Sequence, residues 1–194
     1  MNHTAHAPLL LSIAALSILP LQSAQAEILY MTHQGSGSGS IGALTFEDAN
    51  FTIETSADYD DTIPYINGLR LIHETATITI ADMGTFDLIT ETQTFVNHAF
   101  GTVGFTRITL GDLFTGPFST EFLDWDMTTE LGPITGIGAL QQWHFTDVVT
   151  SGGVLLFDGE NTEATFTASF TIPTPATLSL LAMTGLAATR RRRN

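Results

Sequence analysis

Thr75-Ala76-Thr77-Ile78-Thr79-Ile80-Ala81 sets apolar side chains against threonines at every second position. Successive side chains on an extended backbone point to opposite faces, so this stretch reads as a strand with one face buried and one wetted. The same period continues on either side of it. Phe166, Ala168, Phe170 and Ile172 share one face of a last strand, with Thr167, Ser169 and Thr171 on the other. Leu44 and Phe46 alternate with Thr45 and Glu47, and Phe51 and Ile53 alternate with Thr52 and Glu54. Val154-Leu155-Leu156-Phe157 is apolar on both faces, which predicts a central, doubly covered strand. Turn signals fall between these runs at Asn67-Gly68, Asp82-Met83-Gly84, Gly116-Pro117, Gly132-Pro133, Ser151-Gly152-Gly153 and Asp158-Gly159. No stretch from Glu27 to Ile172 sustains a 3.6-residue period. About eight to ten strands at this spacing predict an all-β body, a single antiparallel β-sandwich or jelly-roll-like domain over residues 27–172. Ser36-Gly37-Ser38-Gly39-Ser40 reads as a loop or a bulged edge.

A chain of 194 residues with 43% hydrophobic residues has enough apolar surface for one packed core. It has no cysteine, so disulfides, thiolate zinc sites and thiol catalysis are excluded. Charge is distributed unevenly. All 20 acids lie between Glu27 and Glu163, and that body carries only Arg70 and Arg107 as cations, a formal −18. Such a body repels phosphate backbones, which argues against nucleic-acid binding.

Both ends read as signals. Leu9 to Leu19 is an apolar run broken by Pro20, and Ala24-Gln25-Ala26 is the small-x-small pattern that a signal peptidase accepts. Residues 1–26 are therefore expected to be a signal peptide cut before Glu27, although no Lys or Arg precedes the apolar run. At the other end, Pro173-Thr174-Pro175-Ala176 breaks the last strand. The apolar stretch Leu178 to Ala188 and the cluster Arg190-Arg191-Arg192-Arg193 follow. That order predicts a short membrane helix whose arginines stay on the cytoplasmic side.

Residues 173–194 resemble the PEP-CTERM sorting tail, a Pro-x-Pro-Ala-Thr motif followed by an apolar helix and an Arg cluster. Ile172, Pro173, Pro175, Ala176, Thr177 and Leu178 match the motif, with Thr174 where the family usually has Glu. The resemblance implies a route: export, an inner-membrane intermediate, then cleavage by an exosortase and display at the cell surface or release. It also implies bacteria that make exopolysaccharide and biofilm. Gly42-Ala43-Leu44-Thr45-Phe46, Trp125-Asp126 and Thr150-Ser151-Gly152-Gly153 are similar to passages of a recurring exported PEP-CTERM type, a likeness that carries no activity with it.

Candidate sites within the body are sparse. Asp58, Asp60 and Asp61 offer hard oxygen ligands to Ca²⁺, without the central Gly and closing Glu of an EF-hand loop. No other cofactor is expected. Asp124-Trp125-Asp126 would place two carboxylates roughly 6.6 Å apart on one strand face. That spacing falls in the rough 5–10 Å window of a glycosidase pair. Trp125 and Trp143 are the candidate sugar-stacking platforms, with core packing as the alternative for each. His33, His73, His98 and His144 follow no metal-ligand spacing. The body is therefore expected to be a non-enzymatic structural or adhesive module, its partners the two processing enzymes, the inner membrane and possible exopolysaccharide. A carbohydrate-binding module is the alternative, and a secreted glycan hydrolase a third reading.

Overall fold

A computed structural model describes residues 27–108, 111–143 and 147–170. Ala24, Ala26, Pro173 to Ala176 and Arg190 to Arg193 lie outside the described residues, as does His144.

The body is all-β and antiparallel. Two long strands, β1 (Ile28–Ile41) and β2 (Leu44–Asp58), form a hairpin closed by Gly42 at φ 57° and Ala43. The Ser/Gly stretch lies inside β1. Its register against β2 shifts between Gly37 and Gly39, opposite Asp48 at φ 47°, whose N–H donates to Ser38 Oγ at 3.0 Å. This bulge merges the two alternating runs of the second strand into one. Phe46 faces the core before the bulge and Phe51 and Ile53 face it after, on opposite sequence parity.

The remaining strands are β3 (Ile63–Tyr65), β4 (Gly68–Ile72), β5 (Thr75–Ile80), β6 (Gly84–Asp87), β7 (Thr92–Asn97) and β8 (Thr102–Arg107). They continue with β9 (Asp112–Phe118), β10 (Leu131–Ala139), β11 (Val148–Thr150), β12 (Gly153–Phe157) and β13 (Asn161–Ser169). Thirteen strands exceed the expected number because β3, β6 and β11 are three or four residues long, too short to display a period. Two expected turns are not turns: Gly116-Pro117 lies within β9 and Gly132-Pro133 within β10. Pro117 is tolerated because it belongs to no register pair: the β8–β9 register shifts between Thr102 and Gly104, and the one β9–β10 pair is Ala139 with Thr115.

One hydrogen-bonded path runs β3-β4-β7-β8-β9-β10-β13-β1-β2-β5-β6, and β12 joins the far half of β1 with β11 beyond it. Leu88 bridges Thr150 and Ile89 N–H donates to Val149 O, so the β6 end meets β11 and a ring of β1, β2, β5, β6, β11 and β12 closes. The sheet curls into a half-barrel whose two arms face each other across the core. His33 of β1 reaches Thr94 of β7 at 2.9 Å and lies edge-on to Phe105 of β8.

The interior holds two apolar clusters. One gathers Phe51, Ile53, Ile80, Phe114, Trp143 and Phe157; the other gathers Leu29, Met31, Val96, Phe122, Trp125 and Phe166. β13 buries Ala164, Phe166 and Ala168 as its alternation predicts. β12 has strands on both edges, yet only Leu155 and Phe157 are fully buried, while Val154 and Leu156 stay partly exposed. The strand is central in the sheet but covered on one face.

Candidate functional site

The residues singled out in the sequence disperse. Trp125 is 4% exposed, donates from Nε1 to Thr129 O at 2.9 Å and packs against Phe122 and Phe166. Trp143 is fully buried, stacked on Phe105 with centroids 5.9 Å apart and edge-on to Phe157. Neither indole offers a face to a sugar ring. This corrects the sugar-stacking reading: a half-barrel interior this wide needs large aromatics to fill it.

Asp124 and Asp126 are not on a strand. They follow the 3-10 turn Thr120–Leu123, and Asp126 Oδ1 accepts from Thr128 N–H and Oγ1 at 3.0 and 2.7 Å. Those two bonds hold the Asp126 carboxyl below the usual carboxylate range. An acid kept ionised in this way is unlike the raised-pKa proton donor of a glycosidase. Asp58 caps the turn Tyr59–Asp61 by accepting from Asp60 N–H at 3.0 Å, while Asp60 and Asp61 point to solvent. Among the described residues no three His, Asp or Glu side chains gather in a metal-holding group.

A different site is built on β7. Its inward side chains are Thr92, Thr94 and Val96; Gln93, Phe95 and Asn97 point to the other face. Gln93 and Phe95 are nevertheless only 6% exposed, because neighbouring strands fold side chains over them. Phe95 lies opposite Arg70 on one side and Gly104 on the other. Gly104 makes its position possible: a Cβ there would sit 2.4 Å from Phe95 Cζ. Tyr65 stands edge-on to the Phe95 ring at 6.2 Å, and Asp112 pairs in register with Thr106 at the far wall.

These residues enclose a cleft of about 310 Å³. Three polar atoms of its lining residues are buried and have no hydrogen-bond partner among the described residues: Tyr65 Oη, Arg70 Nε and Gln93 Oε1. A native fold leaves few such atoms, and each one left unpaired costs about 1–3 kcal/mol. Burial, with a smaller push from the Asp112 carboxylate, raises the Tyr65 phenol to about 12. Burial likewise pushes the Asp112 carboxyl upward. The cleft therefore holds a neutral phenol, a cation, an amide oxygen and an acid around one aromatic ring. Arg107, the other cation of the body, is committed to Asp147 O at 2.9 Å.

Sequence reasoning missed this site because its walls come from β3, β4, β7, β8 and β9, and only register brings them together. One signal was available: Arg70, one of only two arginines within an acidic body. Compared with known proteins, the chain matches no family model, no curated protein and no solved structure.

Proposed function

We propose that the chain is an exported envelope protein whose β-sandwich or jelly-roll-like body works by binding rather than by catalysis. In this reading signal peptidase removes residues 1–26. The tail 173–194 holds the protein in the inner membrane until an exosortase cuts near Pro173 to Ala176, and the mature body reaches the surface or the medium. The support for the route is the order of the end motifs: apolar run, Ala24-x-Ala26, β body, Pro-x-Pro-Ala-Thr, apolar run, Arg cluster.

The observation that carries the binding role is the cleft over Phe95, a concavity of about 310 Å³ that brings Tyr65, Arg70, Gln93 and Asp112 together. Its natural occupant in an envelope setting is a component of the surface matrix, which makes the body a structural or adhesive module. Two measurements test the two halves separately. Intact mass of the protein from its host, by cell fraction, is expected to show a chain beginning at Glu27 and ending between Pro173 and Thr177. Retention of Arg190 to Arg193 in a membrane fraction would sink the sorting route. Co-sedimentation with the host's own matrix is expected to fall at least tenfold in Arg70→Met, and unchanged co-sedimentation would sink the role of the cleft.

A further inference from the structure

One end of the half-barrel gathers exposed apolar side chains on its turns. Ile66, 93% exposed, stands in the β3–β4 turn, and Phe100, 70% exposed, in the β7–β8 turn. His98 N–H donates to Asn67 O at 2.7 Å and ties the two turns together. Phe118, 58% exposed, closes β9 opposite Thr102. Leu123 adjoins the β7–β8 turn, since a Cβ on Gly101 would lie 3.2 Å from its Cδ2. Phe100 and Phe118 are the exposed phenylalanines among the described residues, and both are at this end. Exposed apolar side chains gathered in this way mark a contact surface.

Both flanks of the chain leave the body at the same end. Tyr30 pairs with Ser169, Leu131 pairs with Ala168, and Phe170 N–H donates to Glu130 Oε1 at 3.1 Å. The apolar stretch that begins at Leu178 lies eight residues past Phe170. The inference rests on the reading that this stretch is held in the inner membrane. Eight residues reach at most about 29 Å, so the turn end stays within that distance of the bilayer. The hairpin tip at Leu44 lies farther away by the 14 residues of β1, about 45 Å. A tether this short raises the effective concentration of bilayer at the turns, so a few shallowly inserted side chains suffice.

Charge separates a bilayer from a second copy of the chain. Asp60, Asp61, Glu121, Asp124 and Glu130 are exposed around these turns. The two arginines of the body lie elsewhere, Arg70 within β4 and Arg107 at the opposite end of β8. Two copies meeting turn to turn would set acid against acid with no cation between them. A zwitterionic lipid surface carries no net charge and admits the apolar tips, whereas anionic headgroups repel the acids around them.

We propose that this turn end rests on the bilayer, seating Ile66, Phe100, Phe118 and Leu123 among zwitterionic headgroups while the tail holds the chain in the membrane.

The chain has no cysteine, so single nitroxide labels test the proposal on the full chain in phosphatidylcholine vesicles. Labels go on Phe100→Cys and Phe118→Cys, with Leu44→Cys at the opposite end and Leu181→Cys in the tail. The Phe100 and Phe118 labels are expected to favour collision with oxygen over an aqueous nickel chelate, several-fold more than the Leu44 label does. Replacing roughly a third of the lipid by phosphatidylglycerol should lower that ratio. An equal or higher ratio would overturn the zwitterionic preference. If the Leu181 label is in lipid while the turn labels match Leu44, the docking is overturned and the tail reading stands. If the Leu181 label is in water, the tail reading falls, and the turn labels decide the docking by the same ratio. Broadening of the Phe100 spectrum that vanishes on dilution with unlabelled chain, without oxygen contact, would place a second copy there and overturn the proposal.

Discussion

His33 is the most consequential single residue in the core. Its ring is fully buried between Phe105, Phe114 and Phe166, and its Nε2 meets Thr94 Oγ1 at 2.9 Å. Thr94 Oγ1 also meets His73 Nε2 at 3.0 Å, and His73 Nδ1 meets Thr92 Oγ1 at 2.8 Å. A hydroxyl has one proton, so Thr94 donates to one ring and accepts from the other. The order that strands no buried N–H has His33 Nε2–H donating to Thr94, Thr94 donating to His73 Nε2, and His73 Nδ1–H donating to Thr92. Only the lone pair of His33 Nδ1 then goes unpaired.

Burial lowers the His33 pKa to about 3, and that of His73 well below its ordinary value, with a smaller push from His33. An unfolded histidine takes up a proton below about pH 6.5, whereas folded His33 stays neutral down to about 3. Stability is therefore complete above pH 6.5 and is lost as pH falls toward 3, by about 1.4 kcal/mol per unit for His33 alone. Urea unfolding at pH 7.5, 6 and 5 should show this decline before most carboxylates titrate; a flat profile would mean that His33 is charged or exposed. Gly104 matters at the same scale. A Cβ there would stand 2.4 Å from the Phe95 ring, so Gly104→Val should cost about 1–3 kcal/mol by overpacking and expel Phe95 from the cleft. Calorimetry reads the first effect and loss of co-sedimentation with the host's matrix the second.

Among elements, β1 does most to organise the fold, because it holds β2 on one edge and both β13 and β12 on the other. Gly39 is what admits β12: a Cβ there would lie 2.1 Å from Leu156 O. Gly39→Val should detach the β11–β12 hairpin, which shows as early hydrogen exchange at Leu155 and Phe157 and a lower melting temperature. Exchange at those amides as slow as in the parent would contradict the close approach. The legibility of the elements follows from how each is buried. β5 and β13 could be read directly, since each has one apolar and one threonine-rich face. β3, β4 and β7 could not: β7 is buried on both faces while carrying Thr92, Gln93 and Thr94 inside it. Polar residues buried in pairs across a core look like a solvent face in the sequence. The cleft inherits that obscurity, because Gln93 and Phe95 are the outward half of the same strand.

For the molecule as a whole, the dominant unscreened term is charge. The described residues carry the whole formal −18, with no ion pair among them. Self-repulsion of this size falls as the Debye length shortens from about 30 Å at 0.01 M salt to about 10 Å at 0.1 M. The melting temperature should thus rise over that range of sodium chloride, and a fall would indicate that attractive pairs prevail. The all-β class and the acidic body were plain from composition and period, whereas the curl of the sheet was not. Closure depends on contacts such as Leu88 with Thr150, 62 positions apart, which no local pattern announces.

Tyr30, near the start of β1, pairs with Ser169 at the end of β13, so the chain enters and leaves the body side by side. That placement gives the domain a mechanical direction. Tension applied between the two ends would peel β1 from β13 one rung at a time. Tension that enters at Phe170 alone and runs along β13 must instead slide that strand past β1 and β10 together, with the rungs on both edges strained at once. Held by one end, the domain resists a pull; held by both, it unzips.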